Sequence, residues 1–327
     1  MVSYYRQFME PTPLAGRCIG IASSTRGLMD KRVDFVVDQI DAVTMTGNAL
    51  VSQRDLMSPF VWQPSPGQFA MLVRAVPRLG EEGDTGTIWS AASENGLAFV
   101  ATDNPVLAPG PGPSDIGGCE DPTPVFAPDG SVVVYYTGVD ASRTHGEMLY
   151  ATGPSIDRLE KRGIAMPGAP SEGNLKEATV DRTADSGWRM FYEYARDEAS
   201  LIGLAVGGDA AGPWRHLPQP FTPRPDAWDA WHLSPGPLLT TDKDCPVMFY
   251  NGATHDARWR IGWIAFDAEY TRVVDRCIEP LIVPPPRCQR TDTDIAFAAS
   301  VVVVGEEIWL YYSIEDTDLY RAIIRQV

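Results

Sequence analysis

Val132-Val133-Val134-Tyr135-Tyr136-Thr137 is the stretch on which the fold turns. Val125-Phe126 and the tight-turn pair Asp129-Gly130 precede it, so the order reads strand, turn, strand. Its apolar, aromatic ending recurs along the chain as Leu72-Val73-Arg74, Phe191-Tyr192-Glu193, Phe249-Tyr250-Asn251 and Tyr311-Tyr312-Ser313. The last residues of the copies follow one another at about sixty residues, a period that marks an internal repeat. Further short apolar runs flank each copy, and Pro and Gly fall between the runs as loops require. Repeated units of four short strands predict an all-β chain, a five-bladed β-propeller in which residues 1–327 form a single domain. The last unit shows three clear strands. Residues 1–50 are therefore predicted to close or cap the propeller, with Val33 to Asp38 as the missing strand. A β-sandwich, the other architecture for such strands, does not need this period.

Composition narrows the functional classes. The chain has 327 residues, 44% hydrophobic, enough for a sizeable core. Its net charge of −16, with no basic cluster, excludes a phosphate backbone as a natural partner, so no nucleic acid is expected. No apolar run reaches the length of a membrane span, and no membrane partner is expected. Cys18, Cys119, Cys245, Cys277 and Cys288 are odd in number and widely spaced. That pattern argues for reduced thiols and neither a disulfide framework nor a metal site. With an N-terminus unlike a signal peptide, the expected compartment is the cytoplasm.

Chemistry gathers where the first strand of each unit begins. In Gly117-Gly118-Cys119-Glu120-Asp121-Pro122-Thr123, two carboxylates precede a proline that fixes φ and removes a ladder donor. The corresponding stretches carry Asp55, Lys176 with Glu177, His232, and Asp292 with Asp294. In a propeller these strands line a central channel, so the carboxylates would converge and repel one another, an arrangement that serves a cation, a sugar or acid/base chemistry. Cleaving a glycosidic bond needs one carboxyl to protonate the leaving oxygen and a second on the opposite face, roughly 6.5–9.5 Å away when water is admitted with inversion. Glu177 and Glu193 are the candidate bases, and Arg74 and Lys176 could temper the charge or bind hydroxyls. Asp226-Ala227-Trp228-Asp229-Ala230-Trp231-His232 joins polar groups to two indoles, as sugar binding wants. A small-molecule carbohydrate is the expected partner, with no cofactor; a homo-oligomer is compatible with the sequence.

The motifs carry a resemblance. The Glu-Asp-Pro of residues 120–122, Asn174-Leu175-Lys176-Glu177-Ala178, Trp231-His232-Leu233-Ser234-Pro235-Gly236-Pro237-Leu238-Leu239-Thr240 and Tyr311-Tyr312-Ser313-Ile314-Glu315-Asp316-Thr317 resemble glycoside hydrolase family 130. The likeness covers about residues 55 to 325. It implies a five-bladed propeller acting on β-mannosides as an inverting phosphorylase or hydrolase. It also implies that Asp121 is the general acid, and it places Asp316 on the aspartate of the family's Tyr-Tyr-Gly-Ala-Ala-Asp-Thr.

The departures shape the expectation. Thr123 stands where the family has arginine, Lys176-Glu177 where it has Lys-Asp, and Glu193-Tyr194 where it commonly has His-Arg. A phosphate site needs fork donors or a dense positive pocket. Hydrolysis is therefore expected ahead of phosphorolysis, with inorganic phosphate as the alternative co-substrate. The chain also resembles the wider furanosidase-type propellers, whose template assigns base, modulator and acid to Asp55, Asp121 and Glu177. A non-catalytic sugar-binding propeller is the third reading.

Overall fold

A computed structural model describes residues 33–169, 172–183, 187–286 and 294–327. The rest of the predicted N-terminal closing segment, residues 1–32, lies outside the described residues, and so does Asp292.

The described chain is all-β. Strand β1 (Phe35–Thr46) comes first. The first meander is β2 (Asp55–Ser65), β3 (Gln68–Val76), β4 (Thr87–Ser93) and β5 (Ala98–Ala101). The second is β6 (Gly118–Phe126), β7 (Val132–Val139), β8 (Gly146–Gly153) and β9 (Glu160–Ile164). The third is β10 (Gly173–Arg182), β11 (Trp188–Arg196), β12 (Ala199–Gly207) and β13 (Trp214–Leu217). A fourth group holds the short strands β14 (His232–Ser234), β15 (Leu238–Leu239), β16 (Val247–Met248), β17 (Asn251–Ala253), β18 (Arg260–Ile261), β19 (Ile264–Phe266) and β20 (Val273–Arg276). The last group is β21 (Ala296–Val304), β22 (Glu307–Ile314) and β23 (Asp318–Gln326).

β1 runs antiparallel to β23, with Ile40 opposite Ala322, and parallel to β5, with Thr44 opposite Ala98. It joins the first and last groups into one eight-stranded sheet, order β2-β3-β4-β5-β1-β23-β22-β21. The fourth group forms two sheets, β14-β17-β18 and β15-β16-β19-β20. The break falls at Pro235-Gly236-Pro237, where two residues lack a ladder donor. Gly236 is required there: a Cβ on it would stand 1.8 Å from the Phe249 carbonyl oxygen.

The repeated strand is buried on both faces, which explains its unbroken apolar sequence. Alternate residues of β7 enter different cores. Val133 and Tyr135 pack with Met190 and Tyr192 of the third meander, while Val134 and Tyr136 pack with Leu72 and Ile88 of the first. Tyr311 and Tyr312 divide in the same way, one joining Met71 and Val73, the other Phe249 and Tyr250. Each core thus lies between groups adjacent in sequence, or between the last and the first.

The groups are joined directly, by their first strands in the first three and last groups and by Gly236 and Asn251 of β17 in the fourth. Thr123 Oγ1 donates to the Ala178 carbonyl (2.7 Å) and Thr179 Oγ1 to the Gly236 carbonyl (3.0 Å). Asn251 Oδ1 accepts from Ala298 N–H (2.7 Å). Ser300 Oγ donates to the Pro59 carbonyl (2.7 Å) and accepts from Val61 N–H (2.8 Å). Ser58 Oγ donates to Asp121 Oδ1 (2.8 Å), which returns the circuit to the second meander.

Candidate active site

A bulge in each of the first three meanders aims the site. Pairing slips between Met57 and Phe60 in β2, between Glu120 and Thr123 in β6, and between Lys176 and Thr179 in β10. The residue that opens each slip has a left-handed backbone: Ser58 (φ 51°), Asp121 (φ 49°) and Glu177 (φ 54°). A non-glycine residue held there costs about 1–2 kcal/mol, and such strain gathers at functional sites. The residue before each bulge faces the end of the repeated strand: Met57 opposite Arg74, Glu120 opposite Thr137, Lys176 opposite Glu193.

These pairs form one charged cluster. Asp121 is buried, with 6% of its surface exposed, and Glu193 more so at 2%. Ser58 Oγ and Arg74 Nη1 (3.4 Å) both donate to Asp121 Oδ1, and Thr137 Oγ1 lies 3.3 Å from Oδ2. Arg74 Nη2 is bound to Glu120 Oε1 (2.6 Å) and to the Thr85 carbonyl (2.7 Å). Lys176 Nζ pairs with Glu193 Oε1 at 3.3 Å.

The charges act on one another. Burial, then Asp121 and Glu193, push the Glu177 carboxyl well above its ordinary range, against Lys176 and Arg74. Burial also raises Glu120, opposed by Arg74 and assisted by Asp121. Glu193 is the chief reason that Lys176 is raised, despite its burial. Burial disfavours the charge on Arg74, but Glu120, Asp121, Asp316 and Glu177 outweigh it and the net shift is upward. Asp316, itself left-handed at φ 53°, is thereby part of the field around Arg74.

The remaining candidates differ in their placement. Asp55 sits opposite Val76, before the bulge of β2, so the residue equivalent to Asp121 and Glu177 is Ser58. That corrects the register in which Asp55 shares their position. Asp294 is ion-paired with Arg258. Trp228 stacks on Tyr250 (5.3 Å between centroids) and gives its N–H to the Ile278 carbonyl (3.1 Å). It covers Gly252 and Gly262, where a Cβ would come within 2.8 and 2.4 Å of the indole, and it remains half-buried. Trp231 stacks on His255 at 3.7 Å. His232 Nδ1 accepts from Ser200 N–H (3.1 Å). Burial, helped by His255 and Lys176 and opposed by Glu193, depresses its pKa.

Sequence reasoning missed Ser58 and Thr137. Counting back from Arg74 and Thr137 in the repeat aligns Ser58-Pro59 with Asp121-Pro122, a signal available without the structure. Among the described residues, no group of three or more His, Cys, Asp or Glu side chains is placed to hold a metal ion. No helix among them is long and apolar enough to cross a membrane. A cleft of about 370 Å³ lined by Asp181, Thr240, Lys243 and Tyr270 lies at the other end of β10, away from Glu177.

No family model matches the chain. A 1,2-β-oligomannan phosphorylase of Thermoanaerobacter sp. (strain X514) is 24% identical over 238 residues, 72% of this chain and 77% of that protein. The fold matches a β-1,2-mannobiose phosphorylase of Listeria innocua with a TM-score of 0.67 at 16% identity, over 88% of this chain and 91% of that one. A structure described with the mannoside phosphorylases of family 130, and with hydrolases in it that target β-1,2 mannosidic linkages in Candida mannan, matches with a TM-score of 0.69. Its identity is 23%, over 83% of this chain and 84% of that chain. The chain resembles glycoside hydrolase family 130. The sequence match carries that likeness across most of the chain, while the structural matches speak for the fold. Family 130 motifs and the acidic cluster meet at Asp121.

Proposed function

We propose that this chain is a divergent family 130 enzyme that cleaves a β-mannosidic bond by an inverting acid/base mechanism. We also infer that its groups of strands are five blades of one propeller, with β1 completing the last. The closed circuit of hydrogen bonds from group to group supports that count. The observation that carries the function is the convergence of Asp121, Glu120, Glu177 and Glu193 around Arg74 and Lys176.

In this reading the Asp121 carboxyl gives its proton to the glycosidic oxygen as the bond to the anomeric carbon breaks. A water on the opposite face of the sugar bonds to that carbon and loses its proton to a carboxylate, which inverts the centre. Glu193, paired with Lys176, is the stronger candidate base, because a raised Glu177 holds its own proton further up the pH scale. Lys176 and Arg74 keep the cluster from unpairing its charges and can hold sugar hydroxyls. A specific observation favours a second assignment: the raised Glu177 is what a general acid needs, as the furanosidase template has it.

The acceptor is where the charged cluster and the relatives point apart. Two of the three relatives described are phosphorylases, which favours phosphate and a sugar 1-phosphate product. The charged cluster favours water. Arg74 is already bound to Glu120 and the Thr85 carbonyl, Lys176 to Glu193, and His232 is held toward its neutral form. A phosphate dianion would face four carboxylates there. The thiols of Cys119 and Cys277, neither in a disulfide, support a cytoplasmic location. Product analysis decides the acceptor. β-1,2-Mannobiose and an aryl β-mannoside are incubated with and without inorganic phosphate. Mannose formed at the same rate in both supports hydrolysis. Sugar 1-phosphate appearing only with phosphate reverses the assignment, and no turnover of either sugar removes the β-mannoside reading.

A further inference from the structure

We propose that Ser58 is a positioning residue that holds the Asp121 carboxyl in its proton-donating orientation; the inference rests on the acid role given to Asp121 above. Two donors meet Oδ1 of Asp121, the Ser58 hydroxyl at 2.8 Å and Arg74 Nη1 at 3.4 Å. Oδ2 has the Thr137 hydroxyl at 3.3 Å, a group that can accept as well as donate. Placing the proton on Oδ1 would forfeit both of its bonds, so the transferable proton belongs on Oδ2. Tilting the carboxyl plane about the Cβ–Cγ bond would swing Oδ2 away from this position, and Ser58 makes the short bond that prevents it. Arg74 is a poor substitute, because its stronger contacts are to Glu120 and the Thr85 carbonyl.

The bond depends on the backbone. A serine side chain is short, and Ser58 reaches the next meander from a left-handed residue at φ 51°, just before Pro59. In ordinary strand geometry its Cβ would point elsewhere, and the hydroxyl would leave Asp121. The first meander thus supplies no carboxylate at its bulge but a donor to the carboxylate of the second.

Ser58→Gly keeps the left-handed backbone accessible and deletes the hydroxyl, and Ser58→Asn also tolerates that backbone and restores a donor. Rates are measured on β-1,2-mannobiose and on 2,4-dinitrophenyl β-D-mannoside, with Asp121→Asn as the reference, and the Ser58→Gly protein is crystallised. Ser58→Gly should lower kcat on mannobiose by about 10- to 100-fold, with KM and the activated substrate changed by less than about two-fold. Ser58→Asn should recover most of the loss. The crystal structure should show the plane of the Asp121 carboxyl tilted away from its wild-type position, or in two tilts. An equal loss on both substrates, or an Asp121 carboxyl unmoved in the crystal, overturns the proposal. If Asp121→Asn is itself as active as wild type on mannobiose, the acid reading fails on its own. The Ser58→Gly crystal structure then still decides whether Ser58 orients the carboxyl.

Discussion

Glu177 occupies in β10 the position that Asp121 occupies in β6: each opens a bulge, each has a left-handed backbone, and each follows the residue paired with the end of the repeated strand. The bulge turns two carboxyls on neighbouring strands out of the alternating pattern and toward one another. Their repulsion is among the causes that raise Glu177. Two strained backbones and one unfavourable charge pair would not persist in a site with no task. The charge of Asp121 thus acts on the proton held by Glu177.

Asp121→Asn should abolish turnover of β-mannosides with poor leaving groups while leaving the fold intact. The amide fits the same space before Pro122 but cannot donate a proton as an acid does, a loss of about 10²–10⁴-fold. An activated aryl mannoside needs little protonation and should lose far less. Glu193→Gln should impair both substrates alike if Glu193 is the base. Equal slowing of both substrates by Asp121→Asn would move the acid role to Glu177.

Glu177→Gln should make stability less dependent on pH. The folded-state pKa of Glu177 lies above its ordinary value of 4.5, so the stability it contributes is complete below about pH 4.5 and is lost as pH rises through the folded value. At pH 8 the unfolded wild type is ionised at this position while the folded site resists the charge, a cost that the glutamine lacks. Thermal melting should place the variant above wild type at pH 8 and bring the two together near pH 4. A variant that melts below wild type at pH 8 would contradict the raised pKa.

The repeat was legible because it rests on burial. Strands covered on both faces must be apolar at every position, so Tyr135-Tyr136 and Tyr311-Tyr312 stand out and fix the register. Arg74, Thr137, Glu193, Asn251 and Ser313 do stand opposite Met57, Glu120, Lys176, Ser234 and Phe297. The bulges were not legible. A one-residue slip leaves little trace in composition, and Asp55 was read as the first-meander counterpart because it is a carboxylate three residues before the true one. The packing of Trp228 was not legible either, because its contacts, two glycines and Tyr250, lie far along the chain. The strand expected from Val33 to Asp38 runs on to Thr46, since its pairing with β23 and β5 is set by partners distant in sequence.

Cys119 should resist alkylation in the folded protein. Its side chain is fully buried, and burial pushes the thiol up to about 12, with Lys161 opposing and Asp115 assisting. Little thiolate exists at pH 8, and the thiolate is the nucleophile. Peptide mapping after iodoacetamide at pH 8 should find Cys245 modified and Cys119 untouched until denaturant is added. Equal labelling of the two would show that the start of β6 opens readily.

Asn251→Ala should be the most damaging single change in the circuit that joins the groups. The amide is fully buried. Its Nδ2 donates to the Pro235 (3.1 Å) and Ala298 (3.3 Å) carbonyls, and its Oδ1 accepts from Ala298 N–H. It thus satisfies the broken ladder of the fourth group and ties that group to the last. Truncation strands a buried N–H and two buried carbonyls, each worth about 1–3 kcal/mol when left unmet, so a loss of about 3 kcal/mol or more is expected. Thr123→Ala, which removes one bond to the Ala178 carbonyl, should cost about 1 kcal/mol. Denaturant unfolding at neutral pH checks both values and also the closure. In a closed ring each junction supports its neighbours, so Asn251→Ala should shift one cooperative transition without splitting it. Two resolved transitions would mean that the fourth group unfolds apart from the rest and that the circuit does not act as a ring.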